Sequence, residues 1–322
     1  MTMTRKEFLR LVPGLAVAGT ASGLLAPSLA WGQATPAPHP AAGKPVLRRP
    51  IPSTGELLPV VGSGTAVIYE NEMAPSDPKI ALLADSLATL INNGGAMVDT
   101  SPTYGSAEKN LGEVMRRTGL RKQIFLATKI SITGEQAGVS QWEGSLRDLG
   151  TDRVDLLQVH NIRDTDVHLK TIRRLKEEGK TRYVGITTSF DRSYDEYEAI
   201  MKREKLDFVQ IDYALDNRNA EERILPLARD RGMAVIINLP FGRGRLFSKA
   251  RGKELPPFAK DIDCTSWAQF FLKFLLANPA VTVVIPGTDK PEFAIDNLNA
   301  ARGRIPDAKM RETMVQYWDA LG

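Results

Sequence analysis

The 322-residue sequence predicts an α/β protein built as one (β/α)8 barrel of the TIM type. Three observations carry that expectation. From Leu58 onward short apolar runs alternate with amphipathic helical stretches, the pattern of repeated βα units around a parallel sheet. The apolar runs number eight, as a closed barrel requires. The length also fits, since such a barrel takes ~250 residues and leaves a segment upstream.

The candidate strands, in order, are Pro59 to Val67, Ala96 to Asp99, Ile124 to Lys129, Val154 to His160, Tyr183 to Thr187, Phe208 to Asp212, Ala234 to Asn238 and Val281 to Ile285. Between the first two, Ile80, Leu83, Ala84, Leu87 and Leu90 recur at helical spacing, so Ile80 to Asn92 forms a helix with one apolar stripe. Gly94, Gly95, Gly150, Gly179 and Gly232 fall just after helical stretches, where a left-handed residue commonly ends a helix. Lys249 to Cys264, with Pro256 and Pro257, reads as a long loop able to cover the barrel mouth. His168 reads as a solvated residue at a helix start.

Composition narrows the function classes. With 43% hydrophobic and 25% charged residues the chain is of ordinary globular type. A net charge of +4, scattered along the sequence, gives no nucleic-acid footprint. The single cysteine, Cys264, excludes an internal disulfide framework. The expected partner is a small molecule, the chain is expected as a monomer, and no metal site is expected.

Residues 1–34 have the look of an export signal, with a basic start and an Ala- and Gly-rich apolar stretch from Leu11 to Leu25. Cleavage after Ala30 or Ala34 would suit a small-x-small rule. The run Thr4 to Arg10 resembles a twin-arginine signal with Lys6 in place of the second arginine, which implies a periplasmic protein. Pro13, Gly14, Gly19 and Gly23 break up the apolar run, and it is shorter than the ~20 residues of a span, so stable membrane insertion is not expected. Residues 35–52, rich in Pro and Ala, read as an extended linker in which His39 is idle, and residues 53–322 as the barrel.

The strand ends carry the chemistry. Strand two ends in Asp99 with Tyr104 just beyond, strand three ends in Lys129 and strand four in His160. Polar groups at the carboxyl ends of barrel strands share one mouth. A lysine after Phe-Leu-Ala-Thr needs a counter-ion or loses its proton, and Asp99 is the nearest candidate. A lysinium beside a phenol favours the phenolate, so the tyrosine pKa is expected below its usual ~10, closer to what a general acid needs. His160 can position a carbonyl oxygen or pass a proton. Singly, each residue is more often structural; four at neighbouring strand ends form a site that donates a proton to an oxygen gaining charge.

From about Val60 to Leu298 the chain resembles the aldo/keto reductase superfamily, in its potassium-channel-β-like branch. The motifs that carry the resemblance are Gly62-Ser-Gly-Thr65, Val98-Asp-Thr-Ser-Pro-Thr-Tyr-Gly-Ser106, Ala127-Thr-Lys129, Ser145 through His160, and Pro286-Gly-Thr288. The resemblance implies Tyr104 as general acid, Lys129 and Asp99 as its tuning pair, and His160 as the residue that orients the carbonyl. It implies a nicotinamide cofactor across the mouth, NADP(H) rather than NAD(H). Gly64, Thr65, Thr187, Thr188 and Gln210 then stand at cofactor positions, with Thr187 and Thr188 where the family has a Ser-Asn pair. Asn238 occupies the place of a stacking aromatic. The loop Pro240, Phe241, Gly242, Arg243, Gly244 and Arg245 could lend backbone N–H groups and charge to a pyrophosphate. After strand eight, Gly287, Thr288 and Lys290 face phosphate, and Asp296 and Asn297 face adenine. Phe293 stands where an arginine is usual.

Two classes of function follow. The first is a reductase interconverting an aldehyde or ketone and an alcohol. The second is a nicotinamide-binding regulatory or redox-sensing module with little turnover. A turnover assay on small aldehydes and ketones separates them.

Overall fold

Along each central strand the side chains alternate between an interior lined by one apolar set and an exterior packed on helices, and this alternation aims the polar residues inward. The computed structural model describes residues 39–322; the export signal and cleavage sites expected within 1–34 lie outside them. Ten strands are present among these residues. β1 (Arg48–Pro50) and β2 (Leu57–Pro59) form an antiparallel hairpin. β3 (Ser63–Gly64), β4 (Met97–Asp99), β5 (Phe125–Ile130), β6 (Val154–His160), β7 (Thr181–Thr187), β8 (Phe208–Asp212), β9 (Ala234–Asn238) and β10 (Val283–Val284) are parallel neighbours in sequence order. A parallel bridge from Val61 to Val284, with Gly62 N–H donating to Val284 O at 2.9 Å, brings the first strand to the last. The (β/α)8 expectation holds.

Among the described residues ten helices cover the outside: α1 (Pro78–Asn92), α2 (Ala107–Thr118), α3 (Glu135–Leu149), α4 (Thr165–Glu177), α5 (Tyr194–Arg203), α6 (Ile224–Asp230), α7 (Arg245–Ala250), α8 (Trp267–Leu276), α9 (Pro291–Asn299) and α10 (Ala308–Ala320). Val98, Leu126, Leu157, Val184, Val209 and Val235 face them. The alternate positions Met97, Phe125, Leu156, Tyr183, Phe208 and Ile236 fill the interior. One step further along the strands the inward positions become Asp99, Lys129, Gln158, His160, Thr187, Gln210, Asp212 and Asn238. The period of two thus stacks a polar layer on an apolar one. Gly185 makes room for it, because a Cβ there would lie 2.8 Å from Phe208 O and 3.2 Å from Gln158 Cγ.

The expected linker ends differently. Its last part, β1, pairs with β2 and places Ile51 and Leu58 in the interior cluster, both essentially buried. The Arg49 guanidinium donates to the carbonyls of Leu276, Asn278 and Val281. Prolines at positions 50 and 52 are compatible with a short edge hairpin, which is why the stretch reads as unstructured in sequence. His39 is likewise engaged, with Nε2 2.9 Å from Gln269 Oε1.

His168 is not solvated: it is fully buried in α4, its Nε2 is 2.5 Å from Ile132 O, and its ring lies where a Cβ on Gly138 would be. The Lys249 to Cys264 segment contains the end of α7 and a turn of 3-10 helix over Pro257–Ile262. Its contacts are with α8 and α10, through Phe258 against Phe270 and Tyr317 and through Lys253 O accepting from Trp267 Nε1–H.

Candidate active site

β4 delivers Asp99 and β5 delivers Lys129 to one place because both strands present odd-numbered residues inward. Lys129 Nζ donates to Asp99 Oδ2 at 2.7 Å and to Thr100 O at 2.6 Å. The lysine side chain is 1% exposed and the aspartate's 3%, so each charge depends on the other. Gln158 and Gln210 close the far side of the carboxylate, their Nε2 groups 3.4 Å from Asp99 oxygens, and Gln158 Nε2 donates to Gln210 Oε1 at 2.8 Å. Thr65 holds the strand end from behind, its N–H and Oγ1–H donating to Asp99 O at 3.0 and 3.1 Å.

Tyr104, in the turn after β4, stands with its ring centroid 5.2 Å from Lys129 Nζ and 5.7 Å edge-on from the His160 ring. The four residues expected to converge do converge. Burial would pull Lys129 down, but Asp99 and then Tyr104 more than offset it, so its pKa lies above the usual lysine value. Burial pushes the Tyr104 phenol up and outweighs the pull of Lys129 downward; Asp99 adds to the rise and Arg243 opposes it. The net direction is up, which corrects the expectation of a lowered tyrosine pKa: the lysine acts as expected, but burial acts more strongly. Burial first, and Lys129 second, push His160 down to about 3, so its imidazole is neutral at ordinary pH.

The expected cofactor positions divide into two groups. At the mouth stand Thr187, Thr188 and Asn238, with Asn238 Nδ2 donating to Thr188 O at 3.3 Å. Asn238 Oδ1 is buried and has no hydrogen-bond partner among the described residues. Gly64 pairs with Asp99 across β3 and β4, and Gly287 packs so closely on it that a Cβ at Gly287 would lie 2.8 Å from Gly64 O. Gly287 is followed by Thr288, which together with Asn297 lines a small cavity beside Gly62 and Ser63. Gly242 to Gly244 form a tight turn after Pro240 in which Arg243 takes a left-handed φ of 55°, with its exposed side chain in charge range of Tyr104.

Other residues expected at the cofactor have partners within the protein. Gln210 serves Gln158 and Asp99. Phe241 packs on Phe247 and Phe271, ring centroids 4.8 and 6.4 Å away. Arg245 pairs with Asp216 at 2.8 Å. Asp296 accepts from Ser266 Oγ–H and Gln269 Nε2–H, both at 2.6 Å, so the N-terminus of α8 rather than a ligand satisfies it. Lys290 lies over the Phe293 ring, and Asp289 pairs with Lys79.

Sequence reasoning missed Gln158, whose signal was its place two residues before His160 on the same face. It also missed Ser101 and Thr103, which sit inside the Val98 to Ser106 motif and reach His160. A third omission is Asp212, which accepts from Asn217 Nδ2–H at 2.7 Å and from Tyr194 O–H at 3.3 Å. Burial, then Asp191, raise its pKa to about 6. A folded value above the unfolded one stabilises the protein below the unfolded pKa, and that stabilisation is lost as pH rises through about 6. The loss amounts to at most about 3 kcal/mol. Asp212→Asn is therefore expected to flatten the fall in Tm between acid and neutral pH; an unchanged slope in thermal melts would exclude Asp212 as its source.

The sequence profile of the aldo/keto reductase family matches residues 61–314. The chain belongs to the aldo/keto reductase family. It is thus an oxidoreductase of the nicotinamide-dependent aldo/keto reductase type. It is 26% identical over 248 residues to the aldo-keto reductase str7 of Strobilurus tenacellus, covering 66% of this chain and 74% of that one. It is 27% identical over 214 residues to the aldo-keto reductase YhdN of Bacillus subtilis (strain 168), covering 62% and 63%. Among solved structures, an aldo/keto reductase from Klebsiella pneumoniae in complex with NADP and acetate superposes with a TM-score of 0.69 at 22% identity, covering 82% of this chain and 93% of that one. The thermostable aldo-keto reductase Tm1743, in complex with the inhibitor epalrestat, gives 0.68 at 25% identity, covering 86% and 100%.

These comparisons correct one expectation. The proteins matched are described as aldo-keto reductases with no reference to export, and the segment read as a signal lies outside the described residues. The periplasmic assignment is withdrawn. No helix among the described residues is long and apolar enough to cross a membrane.

Proposed function

We propose that this aldo/keto reductase reduces a small aldehyde or ketone to an alcohol, and runs the reverse reaction, with NADP(H) as cofactor and Tyr104 as the proton donor. The observation that carries the reading is the placement of one phenol between a buried ammonium, 5.2 Å from its ring, and a neutral imidazole. The motifs from Val98 to Ser106 and from Ser145 to His160 support the potassium-channel-β-like branch as the nearest part of the family.

The chain's residues fit the cofactor. Asn238 Oδ1 is an acceptor in want of a donor, and a nicotinamide carboxamide is rich in N–H. The Klebsiella pneumoniae neighbour is described with NADP, and Lys290, which lies over the Phe293 ring after β10, carries charge for an additional phosphate. When bound, the cofactor supplies the hydride to the carbonyl carbon. Tyr104, kept protonated by burial at neutral pH, gives its proton to the carbonyl oxygen. His160 polarises that oxygen as a neutral donor, so it adds no competing positive charge. Lys129 stabilises the phenolate left behind, and Asp99 keeps the lysine charged. In the oxidation direction the same phenolate takes the alcohol proton.

The purified protein is expected to consume NADPH when supplied with a panel of small aldehydes and ketones, with one alcohol formed per cofactor oxidised. Tight NADPH binding with no turnover on any of them would overturn the reading.

A further inference from the structure

The turn after β9 holds a cation with no counter-ion among the described residues. Gly242, Arg243 and Gly244 take positive φ in succession, 55°, 55° and 88°. Glycine adopts that conformation freely, whereas the Cβ of an arginine there crowds the following carbonyl. A backbone outlier of this kind is a reason to look for function. Arg245, two residues on, pairs with Asp216, but the Arg243 side chain is exposed and meets no carboxylate, carbonyl or aromatic ring among the described residues. Other cations of the mouth are engaged. Arg163 donates to Thr133 Oγ1 at 3.3 Å and Ser131 O at 3.4 Å, Arg192 lies 4.9 Å from the centroid of the Phe190 ring, and Lys129 is committed to Asp99.

Two facts say what that cation faces. Around the barrel β10 and β3 stand between β9 and β4, so the turn of Arg243 and the turn of Tyr104 lie apart on the rim. The charge of Arg243 nevertheless reaches the phenol and, like that of Lys129, favours its ionised form. The guanidinium therefore lies on the mouth side of its turn. The second fact is what the turn leaves free. The N–H groups of Gly242, Gly244 and Arg245 donate to the carbonyls of Leu239, Phe241 and Gly242, and Pro240 has no N–H. A backbone so occupied is a poor cradle for a phosphate, which corrects the part expected of these amides. What the turn offers an anion is the Arg243 side chain.

We propose that Arg243 binds an anionic group on the substrate, so that the preferred substrate is an oxo acid, an aldehyde or ketone that also carries a carboxylate. A carbonyl oxygen set against the Tyr104 hydroxyl sends the rest of its molecule into the mouth. Arg243 stands there with a planar fork of donors, which a carboxylate matches with two parallel hydrogen bonds. The buried groups leave this task to it. Lys129 and Asp99, 1% and 3% exposed, cancel one another, and His160 is neutral. A phosphate of the cofactor is the rival for the same guanidinium, and the test below tells the two apart. The proposal rests on the reading of the protein as a carbonyl reductase with Tyr104 as proton donor, and names the substrate class for that site.

The test compares para-carboxybenzaldehyde with benzaldehyde in steady-state kinetics with NADPH, two substrates alike except for the carboxylate. A hydrogen bond to a charged group is worth about 10–100-fold, so the native protein is expected to favour the acid in kcat/KM by at least about tenfold. Arg243→Met should bring the ratio of acid to neutral aldehyde near unity, and Arg243→Lys should keep part of it, through charge without the fork. Because the readout is a ratio, a general effect of either substitution on rate or folding cancels. A native ratio near unity, or a preference for the acid that survives in Arg243→Met, overturns the proposal. Weaker NADPH binding in Arg243→Met with the ratio unchanged gives the guanidinium to the cofactor and overturns it as well. Calorimetry keeps the functional reading separate, with NADP-loaded protein titrated with para-hydroxymethylbenzoate and with benzyl alcohol. If no aldehyde is reduced but the acid binds more tightly in native protein and not in Arg243→Met, the reductase reading fails and the anion site stands. If benzaldehyde is reduced with no preference for the acid, the reductase reading stands and the anion site fails.

Discussion

Tyr104→Phe is expected to lower carbonyl reduction by about 10²–10⁴-fold, the usual contribution of a positioned general acid, and to leave NADPH binding within error of the native value. The change deletes one oxygen and keeps the ring, so the edge contact to His160 and the position over Lys129 survive. What disappears is the hydroxyl that lies between Lys129 and His160 and is protonated at neutral pH. His160, held neutral with a pKa of about 3, does not take over, because its conjugate acid is scarce at neutral pH. Lys129 does not take over either, since two of its three hydrogens are committed to Asp99 and Thr100 and its pKa lies above the usual lysine value. Single-turnover measurement with saturating NADPH separates the proton step from binding. Retention of more than about a tenth of native kcat would remove Tyr104 from the role, because that loss is below what general acid catalysis supplies.

Lys129→Met is expected to cost stability and activity together. The methionine fills nearly the same length of side chain, so the loss is electrostatic: Asp99, 2% exposed, is left in the interior without its partner. Breaking a buried pair on one side costs about 3–5 kcal/mol. Gln158 and Gln210 approach the same carboxylate at 3.4 Å, long for hydrogen bonds, and soften the penalty only slightly. Denaturant unfolding should place the variant in that range, and the double variant Lys129→Met with Asp99→Leu should recover much of the stability without recovering any activity. A cost below about 1 kcal/mol would equate the pair with an exposed salt bridge and refute the account. Since Lys129 pulls the Tyr104 pKa down, its loss should also move any tyrosine titration further up.

Much of the barrel was legible because it rests on periodicity. A strand's alternation is a property of the local chain, so spacing alone assigns Asp99, Lys129 and His160 to one interior. The hairpin of β1 and β2 was not legible: Arg48 to Pro50 is three residues long and flanked by prolines, and it becomes a strand only because β2 and the barrel floor are there to receive Ile51 and Leu58. The cofactor side was partly legible. The family resemblance pointed to Thr188 and Asn238, whereas the partners that Asp296, Arg245 and Phe241 find on other elements had no local signal. A side chain several bonds long chooses among neighbours that are distant in sequence, and no local pattern records that choice.

The sequence by itself determined the eight-stranded barrel, the inward face of each strand and the identity of the acid, phenol, ammonium and imidazole that meet there. Only the tertiary structure decided their states. Burial is a sum over residues from many elements, and it outweighs the neighbouring lysine to raise the Tyr104 pKa and lowers that of His160. Spacing in a chain says which groups can be near each other; the depth at which they lie says where their protons sit.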